Sequence, residues 1–148
     1  MAETELTEFL RSKARGTDGI DGEALRREWL AAVEDLYSLI RDRYLASAIA
    51  AGFVKVRRQP KTITEQFLGT YDVDELVLEV GSEVVTFSPV GRTVLGAAGR
   101  VDLEGDAGRL PVVLADTGWS LILQRRPPEV VPLEEGSLLR ALKIVMRP

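Results

Sequence analysis

The spacing of apolar residues changes period along this chain. In residues 23–50, Leu25, Trp29, Val33, Leu36, Ile40 and Tyr44 follow one another at steps of three and four, the spacing that lines side chains along one face of an α-helix. The opposite face carries Arg26, Arg27, Glu34, Asp35, Arg41 and Asp42. Glu23 stands four residues before Arg27, the favourable order for a helical ion pair worth about 0.2–0.5 kcal/mol. The pattern predicts a long amphipathic helix with one face in the core and the other in water, ended by Gly52, as a glycine just past a helix C-terminus usually does.

From 53 to 126 the period falls to two, in the runs FVKVRRQ, KTITEQF, ELVLEV, EVVTFS, GRVDLEG, RLPVVLAD and WSLILQRR. Alternation of this kind marks half-buried strands. Turn residues separate the runs at Gly81-Ser82, at Pro89 with Gly91, at 105–108 and at 116–118. Such short connections suit hairpins, and hairpins make an antiparallel sheet. The alternation also assigns faces: Val101 and Leu103 oppose Arg100, Asp102 and Glu104, while Trp119, Leu121 and Leu123 oppose Ser120 and Gln124.

Two shorter helices frame this body. Residues 3–15 place Leu6, Phe9, Leu10 and Lys13 on one side, with acids in the first turn and bases in the last, and predict a short, loosely docked helix. The glycines of GTDGIDGE (16–23) predict a stop and a linker before the long helix. RPPEVVP (126–132) carries three prolines that a central strand cannot hold, and a closing helix follows over 133–146 with Leu138, Leu142, Val145 and Met146 on its apolar side. The expected fold is a single α+β domain over 1–148, a meander of about six or seven antiparallel strands forming an open sheet or a partly open barrel, with the long helix of 23–50 and the closing helix packed on its dry face.

Composition then narrows the chemistry. A chain of 148 residues buries enough surface, roughly 68–70% of what its unfolded form exposes, to need no disulfide or metal staple. Cysteine and histidine are both absent, which removes disulfides, thiolate nucleophiles, His- or Cys-ligated metals and the Ser-His-Asp triad. No apolar run reaches the roughly 18–20 residues of a membrane span, and the acidic start MAETELTEF lacks the order of a signal peptide. A cytoplasmic protein without a cofactor is the expectation. The net charge of −4 opposes a surface built to coat nucleic acid or anionic lipid, so any basic contact must be local.

Three motifs resemble functional sites and fail on their chemistry. SPVGRTVLGAAGR (88–100) spaces Gly91 and Gly96 like a phosphate loop, yet Ala97 and Ala98 stand where Lys and Ser/Thr belong, and the stretch lies between two strands. DLEGDAG sets Asp102, Glu104 and Asp106 at alternate positions like early calcium ligands, but the closing glutamate and the flanking helices are missing. TGWSL has Gly118 and Ser120 spaced as in a nucleophile elbow, with Ile122 in place of the second glycine and no histidine to activate the serine. Trp119 and Trp29 read as core anchors.

What remains is basic. KVRRQPK supplies Lys55, Arg57, Arg58 and Lys61, and QRRPP supplies Arg125 and Arg126. Lys, Arg and Pro on edge strands block edge-to-edge aggregation, which is the plainer account of both clusters. If the two strands were neighbours they would form a basic strip, with Arg57, Arg58, Arg125 and Arg126 as candidate contacts for an acidic protein surface. Nucleic acid is the weaker partner, because only Phe53 lies close enough to stack a base. By exclusion the sequence points to a non-enzymatic protein-interaction module, a subunit, regulator or inhibitor in a cytoplasmic assembly. Its alternatives are a nucleic-acid accessory protein and an enzyme built on carboxylates such as Asp102 and Glu104.

Overall fold

The computed structural model describes residues 4–18, 21–92 and 99–148. Its centre is one seven-stranded antiparallel sheet whose order follows the chain: β1 (Lys55–Glu65), β2 (Gly69–Val80), β3 (Glu83–Gly91), β4 (Gly99–Gly105), β5 (Gly108–Ala115), β6 (Gly118–Arg125) and β7 (Pro128–Pro132). β1 and β7 are not paired with each other, so the sheet is open and these are its edges. Among the described residues four α-helices accompany it: α1 (Glu5–Asp18), α2 (Gly22–Ser38), α3 (Ala46–Ala50) and α4 (Glu135–Val145). This is the α+β architecture that the change of period predicts.

Register turns alternation into a core. Leu76 pairs with Phe87, Phe87 with Leu103 and Leu103 with Leu110, while Val101 pairs with Val112, Val112 with Leu121 and Leu121 with Val131. These two cross-strand rows form one apolar face, and Trp29, Val33, Leu36, Tyr37 and Ile40 of the long helical segment pack with it, as do Leu138, Ala141 and Val145 of α4. Trp29 meets Trp119 at a centroid distance of 6.0 Å, tilted by 44°, within the range of favourable aromatic pairs.

Several local expectations need correction. The long helix is interrupted: a π-helical turn, Leu39–Tyr44, separates α2 from α3, with the Leu45 N–H donating to the Ile40 carbonyl at 2.9 Å. A π turn widens the helix by one residue and shifts the phase of the residues beyond it, and Tyr44 at its end donates its hydroxyl to the Leu133 carbonyl at 3.2 Å. α1 runs through Gly16 to Asp18 rather than stopping at that glycine, since a helical glycine costs only about 1 kcal/mol against alanine. Gly19 of the expected linker lies outside the described residues. Gly22 belongs to α2, capped by Asp21, whose side chain accepts from the Ala24 N–H at 3.1 Å. A Cβ on Gly22 would stand 1.8 Å from the Phe67 carbonyl oxygen. That glycine is required by the close passage of the β1–β2 turn.

The two runs FVKVRRQ and KTITEQF merge into the single strand β1, which passes through Pro60. An edge strand tolerates this because a missing N–H need not break a ladder. The same reason makes a strand of 128–132: β7 is the other edge, with Pro128 and Pro132 at its ends. β2 pairs with β1 from Gly69 to Glu79 but with β3 only from Leu76 to Val80. The far half of the β1–β2 hairpin is therefore an arm that leaves the sheet. It is held against α2 by Tyr37, whose hydroxyl donates to the Asp74 carbonyl at 2.6 Å, and by Arg26, which donates to the Leu68 carbonyl at 3.3 Å. Leu68, Ile63, Tyr71 and Val73 of the arm are buried in the core.

Candidate interaction surfaces

The four candidate arginines divide into two unlike pairs. β1 and β6 are the first and sixth strands of the order, so the adjacency that would align the two clusters is not present. Arg57 donates from Nε to Glu79 at 2.9 Å and from Nη1 to Gln59 at 2.9 Å. Arg58 binds Glu34 of α2 and Asp74 of β2, the latter at 3.1 Å, and its guanidinium lies 5.5 Å from the centre of the Tyr37 ring. The Glu34 hydrogen bond is the leading cause that holds the Arg58 pKa above its ordinary value. Both β1 arginines thus spend their charge on acids of their own chain. Arg125 and Arg126 are exposed at the β6–β7 turn and form no ion pair among the described residues.

Lys61 leaves the basic group altogether. Its Nζ reaches from β1 to β3 and donates to the Ser88 hydroxyl at 2.9 Å and to the Pro89 carbonyl at 2.7 Å. Ser88, itself only 5% exposed, pairs with Asp102 of β4, and Asp102 accepts from Arg100 Nε at 2.7 Å. These contacts clamp the base of the arm to the sheet. An ammonium donating to a carbonyl and to the serine oxygen holds that oxygen in place rather than taking its proton.

The acids that mimic a calcium loop are all engaged by arginines. Asp102 is bound by Arg100, Glu104 lies 3.8 Å from Arg109 Nη1, and Asp106 lies 3.2 Å from Arg147 Nε. The Ala107 N–H donates to the Val145 carbonyl at 2.8 Å, so the β4–β5 hairpin caps the end of α4. No group of three or more ligating side chains among the described residues could hold a metal ion. Asp102 and Glu104, the pair considered for carboxylate catalysis, share Arg109, whose Nε lies 3.9 Å from Asp102 and whose Nη1 lies 3.8 Å from Glu104. Gly96, Ala97 and Ala98 of the phosphate-loop pattern lie outside the described residues. Among the described residues no helix is long and apolar enough to cross a membrane.

Two apolar surfaces carry more than these charges do. On α1, Leu6, Phe9 and Leu10 are 67, 58 and 55% exposed, and Lys13 lies 5.6 Å above the Phe9 ring. The second is a groove of about 470 Å³ between the π-helical turn and α4. Tyr44 and Leu45 form one wall, Leu138, Leu139 and Leu142 the other, and Glu135 with Gly136 closes one end. The α4 positions were legible as helix but not as groove, because Leu139 falls outside the stripe that faces the sheet. No family model, no curated protein and no solved structure matches this chain.

Proposed function

We propose that the chain is a non-enzymatic protein–protein interaction module, acting as a subunit, regulator or inhibitor within a larger cytoplasmic assembly. The observation that carries this reading is the apolar stripe of α1, exposed at Leu6, Phe9 and Leu10. Those positions have the i, i+3, i+4 spacing by which an amphipathic helix enters a partner's groove, and water is a poor solvent for three such neighbours. The engagement of Asp102, Glu104 and Asp106 by Arg100, Arg109 and Arg147 speaks against a carboxylate enzyme.

An acidic partner surface is still served by Arg125 and Arg126, the pair that carries no internal acid among the described residues. The nucleic-acid alternative draws on the same two residues. Capture from native cell extract tests the reading, comparing the wild type with Leu6→Glu/Leu10→Glu and with Arg125→Glu/Arg126→Glu. Loss of the captured protein in the first variant, with folding intact, is the expected result. Retention in both variants would remove the reading. Binding to mixed-sequence RNA or DNA with a steep salt slope that flattens in the second variant would replace it with the nucleic-acid alternative.

A further inference from the structure

The two apolar surfaces of this chain match each other. α1 carries Glu5, Leu6, Phe9, Leu10 and Lys13 along one side, and α4 carries Glu135, Leu138, Leu139 and Leu142 along the groove, with Lys143 one helical turn after Leu139. In both helices an acid and a lysine stand eight positions apart, Glu5 to Lys13 and Glu135 to Lys143, a separation of about 12 Å at 1.5 Å per residue. The acid is N-terminal in both. Laid antiparallel, the helices set Glu5 opposite Lys143 and Lys13 opposite Glu135 at once, with the leucines and Phe9 between them. Antiparallel packing also places the partly positive start of each helix beside the partly negative end of the other.

A second observation falls at the same place. Gly136 lies in the first turn of α4 at the acidic end of the groove, and a Cβ there would meet nothing of this chain within 4 Å. Its own fold gives no reason for a glycine, which weakens a helix relative to alanine. A bare backbone at that point is where another helix can come close.

Resting on the interaction reading above, we propose that the occupant of the α4 groove is α1 of a second copy of this chain. Exchange in both directions buries the stripe and the groove of each copy, and gives a closed dimer in which the same contact is made twice. A small apolar contact of this kind forms a weak, concentration-dependent dimer.

Sedimentation velocity on the full chain, at concentrations from about 1 to 100 µM, reads the result directly. The wild type is expected to pass from monomer to dimer across that range. Phe9→Glu and Leu139→Glu, both at exposed positions, should each remain monomeric with unchanged melting temperatures. Lys13→Glu and Glu135→Lys should each weaken the dimer by about twofold to fivefold, the scale of a rim ion pair. The chain carrying both changes should recover the wild-type affinity, which general surface chemistry would not predict. A wild type that stays monomeric throughout overturns the proposal, as does a dimer indifferent to both Phe9→Glu and Leu139→Glu. If the wild type is monomeric while Leu6→Glu/Leu10→Glu still abolishes capture of another protein, the exchange fails and the interaction reading stands.

Discussion

α1 and α2 are written in the same pattern and meet opposite fates. Both space apolar residues three and four apart and both set charges on the other face. The stripe of α2 disappears into the sheet, with Trp29 and Val33 at 1% exposure and Leu36 and Tyr37 at 0%, whereas the stripe of α1 leaves more than half of Leu6, Phe9 and Leu10 in contact with solvent. Amphipathic spacing therefore states that a face must be covered and is silent on what covers it. The difference lies in reach and size: α2 brings Trp29 to Trp119 and Tyr37 to two strand carbonyls, whereas Leu6, Phe9 and Leu10 of α1 stay exposed.

The largest expected effect breaks the buried side of that comparison. Trp29→Ala empties a fully buried site and should destabilise the fold by about 3–5 kcal/mol in a urea melt. A loss under about 1 kcal/mol would mean that the α2 stripe is as superficial as that of α1. Gly99→Ala approaches the same site from the sheet. A Cβ there would stand 2.3 Å from the Trp29 ring and 2.8 Å from a second ring carbon, and overpacking of a buried aromatic typically costs about 1–3 kcal/mol. Combining Gly99→Ala with Trp29→Leu should cost less than the sum of the two, because the smaller side chain makes room for the methyl.

Tyr37 sharpens the comparison through pH. Its hydroxyl donates to the Asp74 and Phe87 carbonyls at 2.6 and 3.3 Å, and burial, opposed only in part by Arg58, raises its pKa above the ordinary value of 10.0. Tyr71 is raised likewise, first by burial and then by its hydrogen bond to Glu65. The sign follows from the raised folded values: below pH 10 both states keep the phenol neutral and the stabilisation is complete. Above it the unfolded chain ionises while the folded chain resists, so stability falls as pH rises. Tyr37→Phe should cost about 1–2 kcal/mol at neutral pH and make the alkaline decline shallower. A decline equally steep in the variant would assign it elsewhere.

The sheet was legible in the sequence because local rules and global fold agree there: period two, Gly-rich turns and short connections all ask for a meander, and the register satisfies them. What escaped depends on neighbours distant in sequence. Pro60 and the prolines of 128–132 become strand residues only because those strands are edges. Arg57 and Arg58 read as free charge until the β1–β2 register places Glu79 and Asp74 diagonally across from them and α2 contributes Glu34. Lys61 gave no signal of its clamp on Ser88, a partner 27 residues away on β3. The α4 groove was equally hidden, since its opposite wall comes from the π-helical turn.

Those arginines supply a smaller test. Arg58 is one-third exposed and touches two acids and a ring, but solvent screens such pairs, and Arg58→Gln should cost about 1 kcal/mol or less. Arg57→Gln, whose side chain is half exposed, should cost less still. Denaturant midpoints for the two variants rank them directly. A loss well above 1 kcal/mol for Arg58 would make the β1–α2 bridge a principal fastener of the arm.

The smallest expected change closes the comparison from its exposed side. Because Leu6, Phe9 and Leu10 are more than half exposed, replacing any one of them by alanine at dilute concentration should move stability by no more than about 0.5 kcal/mol, the usual range for surface positions. Alanine is also the best helix former, so propensity slightly favours the variants and offsets part of whatever contact is lost. The same substitutions should matter once the stripe is occupied. A partner that binds only the folded chain adds stability that grows with its concentration, so wild type and Phe9→Ala should melt together when dilute and separate as protein or partner is added. Coincident melts at every concentration would show that α1 remains bare in solution, and a difference already present in dilute samples would show that its stripe packs on its own chain as that of α2 does.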